Sequence, residues 1–195
     1  MITRRLWGIL KIKMSNLSIL AIALGLGVAV PQIYGLMKPA AFAVMARSFP
    51  RSLPWGIALM LVGTIWFVWN VSQESIADFA AYKNYLLFGF ALVGIGSCIF
   101  VQDFLAVRGL AVVLLLLAKL MVDTGRPELD HTAWVLVIQT WAYVLAVAGM
   151  WLTISPWRLR DAIAWTTANE GRIKFTCGLR LVFGLFVVIL GVIKF

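Results

Sequence analysis

The sequence predicts an all-α fold: a polytopic transmembrane helix bundle of about six spans, with two short Pro-led interfacial helices. Three observations predict it. Of 195 residues, 63% are apolar and 13% are charged, against about 25% charged in an average soluble domain. A chain this short keeps much of its surface wet when it folds in water, so one aqueous core cannot hide that apolar excess. The apolar residues also gather into runs near the ~17–25 residues that a helix needs to cross hydrocarbon. Finally, runs such as LAVVLLLLAKLMV at 110–122 do not alternate in polarity, as a membrane β-barrel strand would. Backbone groups in lipid must be satisfied within their own segment, so the runs are helical.

The spans fall at about 15–36, 54–72, 86–102, 104–122, 132–153 and 176–194, in a single transmembrane domain over 1–195. The third and fourth almost merge, broken only by Gln102, Asp103 and Arg108. An unbroken helix over 86–122 would be about 55 Å long, far beyond the ~30 Å of hydrocarbon. The chain must therefore turn near Asp103 and leave a tight helical hairpin. The connections at 37–53 and 154–175 resemble each other. Pro39 fits the first turn of a short helix and Pro54 the start of the next span, because a missing N–H is unpaired there anyway. In the second connection Ser155 is placed to cap, Pro156 to begin the helix and Gly171 to end it. The pattern of span, Pro-led interfacial helix, basic stretch and span thus occurs twice. Residues 15–72 and 132–194 read as a parallel repeat, with GIALMLVG at 56–63 and GLRLVFG at 178–184 as the best local echo. The competing reading is that all such hairpins look alike, and both stand.

Charge sets the orientation. Lys38, Arg47, Arg51, Arg158, Arg160, Arg172 and Lys174 share one side with Asp103, Asp161 and Glu170. The other side carries Glu74, Asp78, Asp123, Glu128 and Asp130, with Lys83 and Arg126. The excess of Lys/Arg in cytoplasmic loops puts the two connections inside and both termini outside. Arg4, Arg5, Lys11 and Lys13 oppose this. Met14 as the true start, an N-terminus held inside, or a different turn count at 103 would each resolve the conflict. No small-residue cleavage site follows the first run, so a cleaved signal peptide is not expected. Trp55, Trp151, Trp157 and Trp165 mark one boundary; Trp66, Trp69 and Trp134 mark the other. The net charge of +9 fits anionic headgroups as partners. Nucleic acid is not expected, because no basic stripe with interleaved aromatics occurs. Cys98 and Cys177 lie in or beside apolar runs and read as small buried hydrophobes.

The stretch AKLMVDTGRPELDH at 118–131 holds a polar cluster: Lys119, Asp123, Arg126 and His131. KLMVDTGRP resembles the first signature of the lipid phosphate phosphatases, in which the positions of Lys119 and Arg126 hold phosphate. The resemblance stops there: Pro-Ser-Gly-His is absent, and so is any Ser-Arg dipeptide. That chemistry needs a nucleophilic histidine and a second histidine as acid, and the chain has one histidine. The simpler reading is the wet end of a helix. Lys119 stretches to the surface and pairs with Asp123 one turn on. Gly125 and Pro127 then stop the helix. A metal at His131 would need ligands from other loops, and no metal or cofactor is expected. Within the spans, Ser97, Gln139, Thr140 and Arg180 are the notable polar groups; Arg180, near the start of the last span, is close enough to the boundary to snorkel, with Asp103 on the same side as a candidate ion-pair partner. Gly25, Gly27, Gly89, Gly94, Gly96, Gly184 and Gly191 allow close helix approach, within this chain or against another.

The stretch AVAGMWLTISPWRLRDAIAWTTANEGRIKFTCGLRLVFGLFVVILGVI resembles the small YjeT-like bacterial membrane proteins of unknown function. Pro156, Trp157, Arg158, Arg180 and the Gly178/Gly184 pair carry the resemblance, over about a quarter of the chain. It implies the bacterial inner (plasma) membrane and no known activity. The expected function is a non-catalytic packing or assembly subunit of a larger inner-membrane complex, whose partners are lipids and other membrane subunits or its own copies. The alternatives are a small-solute transporter and a lipid-modifying enzyme.

Overall fold

A computed structural model describes residues 15–74 and 82–195. Residues 1–14 and Asp78, on which part of the orientation argument rests, lie outside the described residues. The described chain is built from α1 (Asn16–Met37), α2 (Pro39–Ser48), α3 (Leu53–Gln73), α4 (Lys83–Phe100), α5 (Leu105–Gly125), α6 (Val135–Ile154), α7 (Trp157–Thr166) and α8 (Glu170–Ile193). Single 3-10 turns at Phe49–Arg51 and Arg126–Glu128 follow α2 and α5. No strand occurs among the described residues. Six of the helices are long and apolar enough to cross a membrane, the architecture of a multi-pass membrane protein. The other two, α2 and α7, have 10 residues each. At about 15 Å they are too short to cross.

Local chemistry explains most boundaries. Ser15 caps α1, its Oγ accepting the Ser18 N–H at 3.1 Å. Lys38 (φ −134°, ψ 70°) and Ser155 (φ −130°, ψ 70°) adopt the same extended kink, and each is followed by proline. One local turn therefore redirects the chain after α1 and after α6. The Ser155 side chain makes no capping bond, contrary to expectation; its carbonyl accepts the Arg158 N–H instead. Gly171 does not end α7. The hydroxyls of Thr166 and Thr167 fold back onto the Ile163 carbonyl, and α7 stops at Thr166. Gly171 falls in the first turn of α8, behind Glu170, an acid suited to the positive end of a helix.

The order of packing differs from the order of the chain. α1 makes its widest contact with α8, and α5 lies between α3 and α6. The turn near Asp103 is present, with Phe104 in the left-handed region at φ 53°. It does not produce a packed α4–α5 hairpin, because α4 leans mainly on α3. Gly94 is the only buried residue of α4, and it faces Thr64 of α3. The fully buried cluster of Leu17, Ala21, Met121, Val135, Ile138, Ala142 and Val187 joins α1, α5, α6 and α8. These residues come from the half of the bundle that ends in the acidic loops. Trp141 and Phe183 meet edge to face beside it, with centroids 5.1 Å apart.

α1 and α8 touch backbone to backbone. A Cβ on Gly25 would stand 2.7 Å from the Gly184 carbonyl oxygen, and one on Gly184 would stand 2.8 Å from that of Gly25. Gly27, two residues along α1, has nothing within 4 Å. Gly25→Ala is therefore expected to lower stability by about 1–3 kcal/mol, the usual cost of overpacking. Gly27→Ala should be neutral or gain up to about 1 kcal/mol from helix propensity. Reversible unfolding in mixed micelles compares the two.

Candidate functional site

On the acidic side, Lys119 Nζ lies 2.7 Å from Asp123 Oδ2 and 3.4 Å from Glu74 Oε1. The i,i+4 pair is thus part of a three-residue network that ties the end of α5 to the end of α3. Lys83 Nζ completes that corner by donating to the carbonyls of Ser72 at 2.6 Å and Glu74 at 3.0 Å. Arg126 begins the 3-10 turn, and the His131 backbone N–H donates to the Glu128 carbonyl at 3.1 Å. The ammonium that a phosphate would need is held by two carboxylates. The structure assembles Lys119 with Asp123 and Glu74, and leaves Arg126 and His131 in the following loop.

The basic side holds a different site. Arg47, at the end of α2, donates from Nε to Thr167 Oγ1 at 2.9 Å and from Nη2 to the Thr167 carbonyl at 2.7 Å. Thr167 terminates α7 and is buried. The guanidinium satisfies a carbonyl at the negative end of that helix and clamps the two short helices together. Behind the clamp opens a cavity of about 610 Å³, within the range of small-molecule sites. Its walls are mainly apolar, with Phe42, Phe49, Trp55, Leu110, Leu159 and Ile163 among them.

Gln32 of α1 and Arg180 of α8 also line this cavity, with Ser48, Thr166 and Thr167 from the clamp side. The buried stripe of α8 runs through Ile173, Cys177, Gly184, Val187 and Gly191. Arg180 falls on that stripe by helical spacing, yet it is exposed. The cavity borders the α1–α8 seam at Arg180. Gly35 lies against Cys177, and Ala29 against Gly184. That antiparallel register sets Gln32 level with Arg180. Gln32 is 8% exposed, and its Oε1 accepts no hydrogen bond among the described residues. The expected Asp103–Arg180 ion pair does not form: the ion pairs among the described residues involve neither residue. Asp103 follows α4, on the far side of α3 and α5 from α8, and its carbonyl accepts from Arg108 Nε. Gln32 is uncharged, so a search for ionisable groups in spans passes over it; an amide beside Pro31 in an apolar run is the signal that marks it.

A third feature is the outer face of α4. Tyr85, Leu92 and Ile99 are 76%, 53% and 61% exposed, and with Gly89 and Gly96 they repeat at helical heptad spacing. A Cβ on Gly89 would meet nothing within 4 Å, and one on Gly96 only the ring of Phe100 at 3.9 Å. Comparison of the chain with protein-family models, with curated proteins and with solved structures finds no match.

Arg47→Ala removes both bonds to Thr167 and should free the end of α7. Charged hydrogen bonds of this kind support an increase of about tenfold in amide exchange over residues 163–169. Exchange in the acidic-side loop at 126–134 should not change. Hydrogen-exchange mass spectrometry reads both regions in one experiment.

Proposed function

We propose that the protein is a non-catalytic, multi-pass subunit of the bacterial inner membrane that acts by packing against the apolar helix of another subunit. The face of α4 at Tyr85, Gly89, Leu92, Gly96 and Ile99 is where it docks. The supporting observation is a pair of open glycines on a helix whose only buried residue is Gly94; α8 also carries open glycines, Gly171 and Gly178, but its other face is already sealed against α1. Glycine in a helix interior costs about 1 kcal/mol relative to alanine. Gly25, Gly94 and Gly184 offset that cost by close contact within the chain; Gly89 and Gly96 have no such contact. Small residues flanked by large apolar ones are what two membrane helices need for close approach, since lipid supplies no hydrophobic drive between them. In this reading the basic face, with α2 and α7, is cytoplasmic, and the YjeT-like resemblance of the last quarter fits the same membrane.

A photo-crosslinking side chain placed at Leu92 or Ile99 in native membranes tests this. It should give one discrete protein adduct of fixed stoichiometry. The same group at Val144 or Val147 of α6, both exposed, should give none. Gly96→Leu should weaken the adduct by about tenfold, as an overpacked contact of 1–3 kcal/mol requires. Equal labelling at all four positions, or no protein adduct at Leu92 and Ile99, would leave α4 an ordinary lipid-facing helix.

A further inference from the structure

We infer that the cavity behind the α2–α7 clamp binds the head and glycerol region of one anionic lipid, with a glycerol-type head at Arg180 and Gln32 beneath the short helices and the acyl chains leaving into the bilayer. Three observations lead there. Arg180 has no hydrogen-bond or ion-pair partner among the described residues, and it stands in the seam rather than at a helix end. Lys194 closes the opposite end of α8, 14 residues and so about 21 Å away along the helix. That leaves Arg180 roughly 9 Å inside a 30 Å hydrocarbon layer. A cation at that depth is costly unless its side chain reaches the surface or an anion joins it, and Arg180 lines the cavity beneath the short helices. Gln32, level with it, offers a buried acceptor without a donor, and such a group costs free energy until it is bonded. A phosphate ester answers the first need and a headgroup hydroxyl the second.

The walls answer the rest. Phe42 and Phe49 from α2 and its following turn, Ile163 from α7 and Leu110 from α5 line the cavity, and the glycerol and ester carbons of a lipid cover them where a free anion does not. Lys38, Arg51 and Arg158 belong to the same side of the membrane, by the alternation of the six crossings. They draw anionic headgroups toward that surface. The site is independent of the α4 face, none of whose residues line the cavity.

Native mass spectrometry of the full chain in mild detergent, stripped of lipid, tests the inference. The probes are dioleoylphosphatidylglycerol, dioleoylphosphatidylcholine and inorganic phosphate. One phosphatidylglycerol should bind saturably per chain, about tenfold or more tighter than phosphatidylcholine, in line with charge-assisted hydrogen bonding. Arg180→Gln and Gln32→Leu should each weaken it by about tenfold. Ala162→Trp, built from an exposed position on the cavity wall, should abolish it with the helical circular dichroism unchanged. Lys119→Gln, on the opposite face, should leave it intact. Equal retention of the two lipids, several equivalent phosphatidylglycerols, undiminished binding in Arg180→Gln, or displacement by equimolar phosphate would each overturn it.

Discussion

The rest of the bundle depends on the approach of two backbones. α1 and α8 meet where Gly25 and Gly184 each face the other's carbonyl oxygen. In lipid an apolar side chain gains nothing by leaving its neighbours, so helices hold together through close packing and hydrogen bonds. This contact joins the first and last spans and closes the chain into one unit. Ser18, fully buried, adds a hydroxyl donated to the Gly191 carbonyl near one end of the same seam. With α1 and α8 fixed, α5 takes the middle, and α3 and α4 are carried successively outward.

The seam is tight at Gly25–Gly184 and again at Gly35–Cys177, and a cavity borders it between those two contacts, at Gln32 and Arg180. The fully buried cluster occupies the half of the bundle nearer the acidic loops, and the cavity the half nearer the basic surface. The two short helices roof that cavity because Lys38 and Ser155 turn the chain in the same way. The Arg47–Thr167 clamp then locks one short helix to the other. Carboxylates engage Lys119 on the acidic side and Arg160 and Lys174 on the basic side, where Arg47 is held by carbonyl and hydroxyl oxygens. Arg172 and Lys194 sit over Trp165 and Trp134 at the two ends, 5.0 Å and 5.9 Å from the ring centroids. Such pairs suit a boundary where one side of the indole is dry and the other wet.

The six spans are legible in the sequence because hydrocarbon rewards any unbroken apolar run, whichever way its side chains point. Pro39 and Pro156 mark the short helices for a similar reason: a missing N–H has few places to go. The partners are not legible. A span that is apolar all round has no polar face to show which side meets a neighbour, so neither the α1–α8 pairing nor the lean of α4 onto α3 can be read from pattern alone. Gly171 misleads because α7 ends five residues earlier, where the Thr166 and Thr167 hydroxyls bond the Ile163 carbonyl, and side-chain bonds to a local carbonyl leave little trace in composition. Lys119 and Asp123 follow from i,i+4 spacing; Glu74, which joins them, comes from a different span. Arg180 is visible as a charge in a span, but its position on the buried stripe has meaning only once Ile173, Cys177 and Gly184 are known to be buried.

The account stands or falls on α1 lying in lipid with one face sealed against α8. Spin labels placed singly from residue 17 to residue 35 of the chain in bilayers, scanned for oxygen accessibility, measure this directly. The result consistent with the structure is a helical oscillation with minima at Ser18, Ala21, Gly25, Ala29 and Gln32 and maxima at Ile19, Leu26, Val30 and Ile33. A flat profile, a two-residue period, or minima on the opposite face would contradict it.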